Sequence, residues 1–229
     1  VSYSVNKEDM WISRIPVPVE INASAHADDD FSKNKSIAEL TDWNIYSPVW
    51  APVSLEDQWL KLQDKDPFDY AKVERKIPAS KELKVSFDLK AGQNNKGTLH
   101  IEFLDENGIA CSRIELTDDG IFRLKGGSRF ANMMKYEAGK IYHVEAVLST
   151  VDRNIQVYVD GKRVGLRMFY APVAAVERIV FRTGVPRTFP TVDTPADQTY
   201  DLPNAGAQDP LAEYGIANVK TSSTDKDAS

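Results

Sequence analysis

From residue 84 onward the chain repeats one motif: a short run of β-branched, aliphatic and aromatic residues alternating with polar ones, then a turn of Gly, Asn or Asp. Lys84-Val85-Ser86-Phe87-Asp88-Leu89 sets the pattern, with Val85, Phe87 and Leu89 on one face and the polar residues on the other. Side chains of an extended strand point alternately to its two faces, so this period leaves one apolar face that must be covered. Gln93-Asn94-Asn95-Lys96-Gly97, Glu106-Asn107-Gly108, Asp118-Asp119-Gly120 and Asp160-Gly161 supply turns around strands at 84–89, 98–103, 109–116, 121–124, 141–149 and 154–159. Lys125-Gly126-Gly127-Ser128 breaks the run after 124, and 177–182 and 214–220 add the last strands. Many short antiparallel strands bury their apolar faces best as two facing layers. The predicted class is therefore all-β, an antiparallel two-sheet β-sandwich of the jelly-roll kind with little helix. The one helical expectation is residues 54–62, where Leu55, Trp59 and Leu62 fall at helical spacing.

Composition narrows the partners. No apolar run approaches the roughly 20 residues that span a bilayer as a helix, so no membrane insertion is expected. A net charge of -6 with both signs interspersed gives no electrostatic footprint for nucleic acid. Cys111 is the single cysteine, which excludes an intrachain disulfide and leaves the compartment open. Residues 184–210 are rich in Pro and Asp without periodicity, and read as a long loop that straps the surface or builds a site.

Candidate ligand-binding residues concentrate between 42 and 70. Trp43, Tyr46, Trp50, Trp59, Phe68 and Tyr70 are interleaved there with Asp42, Asn44, Asp64, Asp66 and Asp69. Sugar sites use this mixture, because the C–H faces of pyranose rings stack on aromatic planes while carboxylates and amides bind the hydroxyls. Tyr46, Trp50, Trp59 and Tyr70 are the ring candidates, and Trp43 is expected between the sheets. His100 and His143 lie out of phase with their apolar neighbours, are expected to face outward, and join the ligand set. Arg123 joins it too, because guanidinium groups bind carboxylates bidentately; Arg75, Arg113, Arg129 and Arg182 are further candidates for anionic sugars. No histidine has metal-ligand spacing. Asp28, Asp29 and Asp30 carry two open readings: solvated acids at a turn, or calcium ligands with Asp193, Asp197 and Asp201 as partners.

Two stretches add a resemblance. Asp28-Asp29-Asp30-Phe31-Ser32 followed by Leu40-Thr41-Asp42-Trp43 is similar to the opening strands of concanavalin A-like, laminin G-like jelly rolls, and Asn154-Ile155-Gln156-Val157-Tyr158-Val159-Asp160-Gly161-Lys162 resembles a late hairpin of the same folds. The opening twenty residues, VSYSVNKEDMWISRIPVPVE, read as two short strands and not as a leader. They resemble the last strand pair of the BNR, or sialidase-like, β-propellers of polysaccharide-degrading bacteria. The resemblance implies trailing propeller strands at 1–19, a jelly roll at 20–220 and a disordered tail at 221–229. It implies an accessory carbohydrate-binding or structural module of a secreted or periplasmic bacterial protein, with polysaccharide or oligosaccharide and a β-propeller of the same parent chain as partners. Two alternatives stay open: a polysaccharide lyase or glycoside hydrolase with its site in the sandwich groove around His100, Tyr142, His143 and arginine residues, and a pure buttress for the propeller. The E-x-D-x-x-E of laminarinase-type hydrolases and the Q-x-H strand of jelly-roll lyases are both missing, and no catalytic residue is assigned.

Overall fold

The structure, a computed structural model, describes the backbone of residues 2–5 and 9–12 and all of residues 25–184 and 206–223. Strands β1 (Ser2–Val5) and β2 (Asp9–Ile12) pair with each other as a separate two-stranded sheet. Then come β3 (Asp28–Asp29), a 3-10 turn at Ile37–Glu39, β4 (Trp43–Tyr46), β5 (Val53–Glu56), β6 (Trp59–Asp64), β7 (Lys72–Ser80) and β8 (Glu82–Ala91). After these follow β9 (Leu99–Leu104), β10 (Ala110–Leu116), β11 (Ile121–Gly126), β12 (Arg129–Lys135) and β13 (Ile141–Ser149). The chain closes with β14 (Asn154–Val159), β15 (Lys162–Met168), β16 (Val176–Thr183) and β17 (Ala212–Ser223). The described residues include no α-helix, in keeping with the predicted all-β class.

Two antiparallel sheets form a sandwich. One is seven-stranded in the order β12-β11-β10-β9-β16-β7-β4; the other is eight-stranded, running β15-β14-β13-β8-β17-β6-β5 with β3 paired to β17. The alternation in β8 explains why the sheets adhere. Val85, Phe87 and Leu89 are fully buried, and the Phe87 ring meets Phe181 of β16 edge-to-face at 5.1 Å between centroids. Trp43 packs between the sheets against Phe31 and Phe181, as expected of it. Cys111 is fully buried there, and burial pushes its thiol up to about 12, which keeps it unreactive.

Three expectations need correction. Residues 54–62 are not helical: β5 and β6 form a hairpin whose two turn residues, Asp57 and Gln58, have φ of 51° and 66°. Two successive left-handed residues make the turn that matches strand twist, and Leu60 and Leu62 are buried at period two. Strands β7, β12 and β15 also went unpredicted. The last two are sheet edges, mostly exposed on both faces, so no apolar alternation marks them. Finally, β17 continues through Thr221, Ser222 and Ser223, where a frayed tail is expected, because Thr221 Oγ1 accepts the Ala27 N–H at 2.8 Å and β17 pairs β8 to its end. Residues 185–205, expected as a loop and holding Asp193, Asp197 and Asp201, lie outside the described residues, as do 13–24 and 224–229.

Truncating the ring that joins the sheets tests this packing. Phe181→Ala is expected to cost about 3–5 kcal/mol, the usual penalty for a large core ring. Urea denaturation reads it as a lowered midpoint with an unchanged slope; a loss under about 1 kcal/mol would mean that the sheets do not depend on this contact.

Candidate functional site

The facing sheet covers only one side of the seven-stranded sheet. Its other side carries two transverse rows of long polar side chains, fixed by strand register. One row runs Tyr46, Lys72, Arg182, His100, Glu115, Arg123 and Asn132 across β4, β7, β16, β9, β10, β11 and β12. The next runs Asn44, Glu74, Val180, Glu102, Arg113, Lys125 and Phe130 across the same strands. Opposed residues on neighbouring strands stand about 5 Å apart, close enough for each to touch the next.

They do touch. Glu102 accepts from Arg113 Nε at 2.7 Å and Nη2 at 2.5 Å, and Arg123 Nε donates to Glu115 Oε2 at 2.5 Å. Glu115 Oε1 lies 3.1 Å from His100 Nδ1, and Glu74 binds Lys72 at 3.0 Å and Arg178 at 3.4 Å. This mutual cover leaves Glu115 only 2% and His100 3% exposed although both face away from the core. Val180, 2% exposed, is buried under the same network and stands outside the apolar cluster between the sheets. Burial works to raise the Glu115 carboxyl, but His100 and Arg123 outweigh it and hold the group below the ordinary range. Glu115 therefore stays ionised at neutral pH and keeps Arg123 in place.

Aromatic rings border the network. At one end Arg182 stacks on Tyr70 at 3.9 Å, and Tyr70 lies 5.4 Å from Tyr46. At the other, Arg123 lies 4.3 Å over Phe130, and Lys125 Nζ lies 4.6 Å from the Tyr170 ring and 5.5 Å from Phe130. A run of aspartates positions the first pair of rings. Asp64 accepts the Asp66 N–H, Asp66 accepts the Phe68 and Asp69 N–H groups, and Asp69 accepts the Tyr70 N–H and the Tyr46 hydroxyl. Burial pushes the Asp64 carboxyl up to about 6, against the hydrogen bonds from Thr183 and Asp66. Rings beside fixed cations suit a sugar ring with polar or anionic substituents.

Of the residues singled out from sequence, Tyr46, Tyr70, His100 and Arg123 meet on this face. His100 is nonetheless buried, where outward exposure is expected, because Glu115 and its neighbours close over it. Trp59 and His143 lie on the outer side of the opposite sheet. Trp59 covers bare backbone at Gly215, where a Cβ would come within 2.9 Å of the indole, and His143 Nδ1 pairs with Asp88 at 2.8 Å. Trp50 sits half-buried in the β4–β5 loop, its carbonyl accepting the Lys65 N–H. Tyr142 is buried against Phe122, so His100, Tyr142 and His143 form no common site. Arg75 is buried at the sandwich rim, where its Nε binds Asp29 Oδ2 at 2.8 Å and ties β3 of one sheet to β7 of the other. Asp28, Asp29 and Asp30 are directed to separate partners: Lys220; Arg75 and Trp43 Nε1; and the Ser32 N–H and hydroxyl. Among the described residues no group of three or more His, Cys, Asp or Glu side chains is arranged to hold a metal. Sequence reasoning passed over Lys125, Phe130 and Tyr170. Reading Gly127-Ser128 as a two-residue hairpin turn would have set Gly126 opposite Arg129 and Lys125 opposite Phe130.

A family model described as "Sialidase-like, CBM domain" matches residues 43–198. A solved chain described as "Sialidase" is 88% identical with a TM-score of 0.89 over 99% of this chain and 21% of that one, so the present chain spans about a fifth of that relative. A chain solved in work on endo-acting O-glycanases of the human gut microbiota is 12% identical, with a TM-score of 0.60 over 86% of this chain and 98% of that one. The carbohydrate recognition domain of Emp47p is 11% identical, with a TM-score of 0.55 over 87% and 97%. At such identities these two speak for the fold alone. No curated protein matches the chain.

The Asp64 carboxyl yields a pH test. Its folded pKa lies above the unfolded 3.8, so the folded state holds the proton more tightly. Asp64 therefore contributes stability at low pH that is lost as pH rises through about 6. Asp64→Asn, which keeps an oxygen acceptor for the Asp66 N–H, should melt higher than the unsubstituted protein above that pH. The gain should shrink as the pH falls toward 3.8. A gain that does not vary with pH would contradict a buried, protonatable Asp64.

Proposed function

The chain belongs to the sialidase-like carbohydrate-binding-module (CBM) domain family, and we propose that it is the accessory glycan-binding module of a longer polysaccharide-processing protein, using the outer side of the seven-stranded sheet. The observation that carries this placement is the contact of Tyr70, Phe130 and Tyr170 with Arg182, Arg123 and Lys125 on one solvent-facing sheet side, with Tyr46 against Tyr70. A carboxylate–guanidinium lattice prepared before the ligand arrives reduces the ordering cost of binding. The opposite sheet offers Trp59 and His143, each engaged by a neighbour of its own.

On this reading, catalysis belongs to the remainder of the parent protein, and the module holds that catalyst near an extracellular or periplasmic glycan. A preceding β-propeller is the proposed neighbour. The pairing of β1 and β2 into a sheet of their own, apart from the two sandwich sheets, supports it.

Binding of mucin-type and plant-type oligosaccharides, measured by calorimetry, tests the placement. Tyr70→Ala and Arg123→Ala are each expected to weaken binding about tenfold, or about 1.4 kcal/mol, without lowering the melting temperature much. Trp59→Ala and His143→Ala should bind as the parent chain does. The reverse pattern would move the site to the eight-stranded sheet, and absence of binding to every glycan would remove the proposal.

A further inference from the structure

We infer that the β11–β12 end of this face is a subsite for one acidic group, a carboxylate or a sulfate, on an otherwise neutral glycan; the inference rests on the glycan-binding reading above. Three observations meet there. First, the cations on this face are unequally matched. Arg113 is engaged by Glu102 and Arg123 by Glu115, whereas Lys125 has ring neighbours only and no carboxylate within ion-pair distance among the described residues. An ammonium held against two rings, with no protein anion beside it, keeps its charge available to a ligand. Second, the ring of Tyr170 packs against the same lysine, its centroid 4.6 Å from Nζ, and the hydroxyl of that tyrosine is buried without a hydrogen-bond partner. An unpaired buried donor costs free energy that a ligand oxygen would recover. Burial also pushes the Tyr170 phenol above its ordinary range, so the proton it would donate is retained. Third, Phe130 stands 37% exposed on the edge strand β12, beside Arg123 and Lys125, and offers a platform for a sugar ring.

Net charge limits the ligand. The chain carries -6 overall, so the rest of the surface repels a polyanion far more than a ligand with a single acid group. Carboxylate and sulfate share the chemistry that Lys125, Arg123 and Tyr170 would recognise. Only measurement separates them.

The test compares one oligosaccharide in three forms: ending in a carboxylated sugar, sulfated at the same end, and neutral. Calorimetry on the full chain should give about tenfold tighter binding for at least one acidic form than for the neutral one, and salt should weaken that preference. The form preferred identifies the acid group. Lys125→Met should bring the ratio of acidic to neutral affinity to about one, and Phe130→Ala should lower both affinities while the fold melts as before. Equal affinity for all three forms, or a ratio that survives Lys125→Met, would overturn the subsite and leave the glycan-binding face standing. Failure to bind any form would overturn both.

Discussion

Every strand has two sides, and a facing sheet can cover only one of them. The interior of the sandwich follows from that limit. Val85, Phe87 and Leu89 of one sheet meet Phe181 and its neighbours of the other because each alternating strand must hide its apolar side. So does the surface, because seven strands leave a second broad side whose residues have to satisfy themselves. The chain solves this by arranging long acids and bases in register until they bury one another. Val180 shows how completely: an apolar residue on the outward side is 2% exposed.

Such a lattice orients more than it stabilises. Withdrawing paired charges from water costs much of what their attraction returns, so these ion pairs are weak evidence for stability. Their effect is geometric. Glu102 and Glu115 hold Arg113 and Arg123 in single positions, and the stacked aspartates 64, 66 and 69 do the same for Tyr46 and Tyr70. A surface with few free rotamers loses little entropy on taking a rigid sugar. The groups left unmatched, Lys125 and the Tyr170 hydroxyl, then become the informative ones.

Much of this was legible in the residues themselves. The two-layer architecture followed from period-two runs and Gly, Asn and Asp turns, and the Asp160-Gly161 hairpin forms with both residues at positive φ. Part of what failed did so because a linear pattern records a residue's own side of a strand and not who stands beside it. His100 is out of phase with the core, as read, yet buried, because Glu115 and Arg182 are cross-strand neighbours from distant parts of the chain. Leu55, Trp59 and Leu62 fit helical spacing, while the hairpin is decided by Asp57 and Gln58 adopting left-handed backbone. The acids at 28–30 looked alike in sequence. Asp29 differs because Arg75, some forty-six residues away, reaches it across the sandwich.

Amide hydrogen exchange, followed along the whole chain with and without a bound glycan, asks most directly whether the outer side of the seven-stranded sheet is where sugar is held. The account predicts slowed exchange confined to β9–β12, β16 and the turn leading to Tyr70, with β13–β15 unchanged. Protection centred instead on β6, β13 and β17, beneath Trp59 and His143, would contradict it.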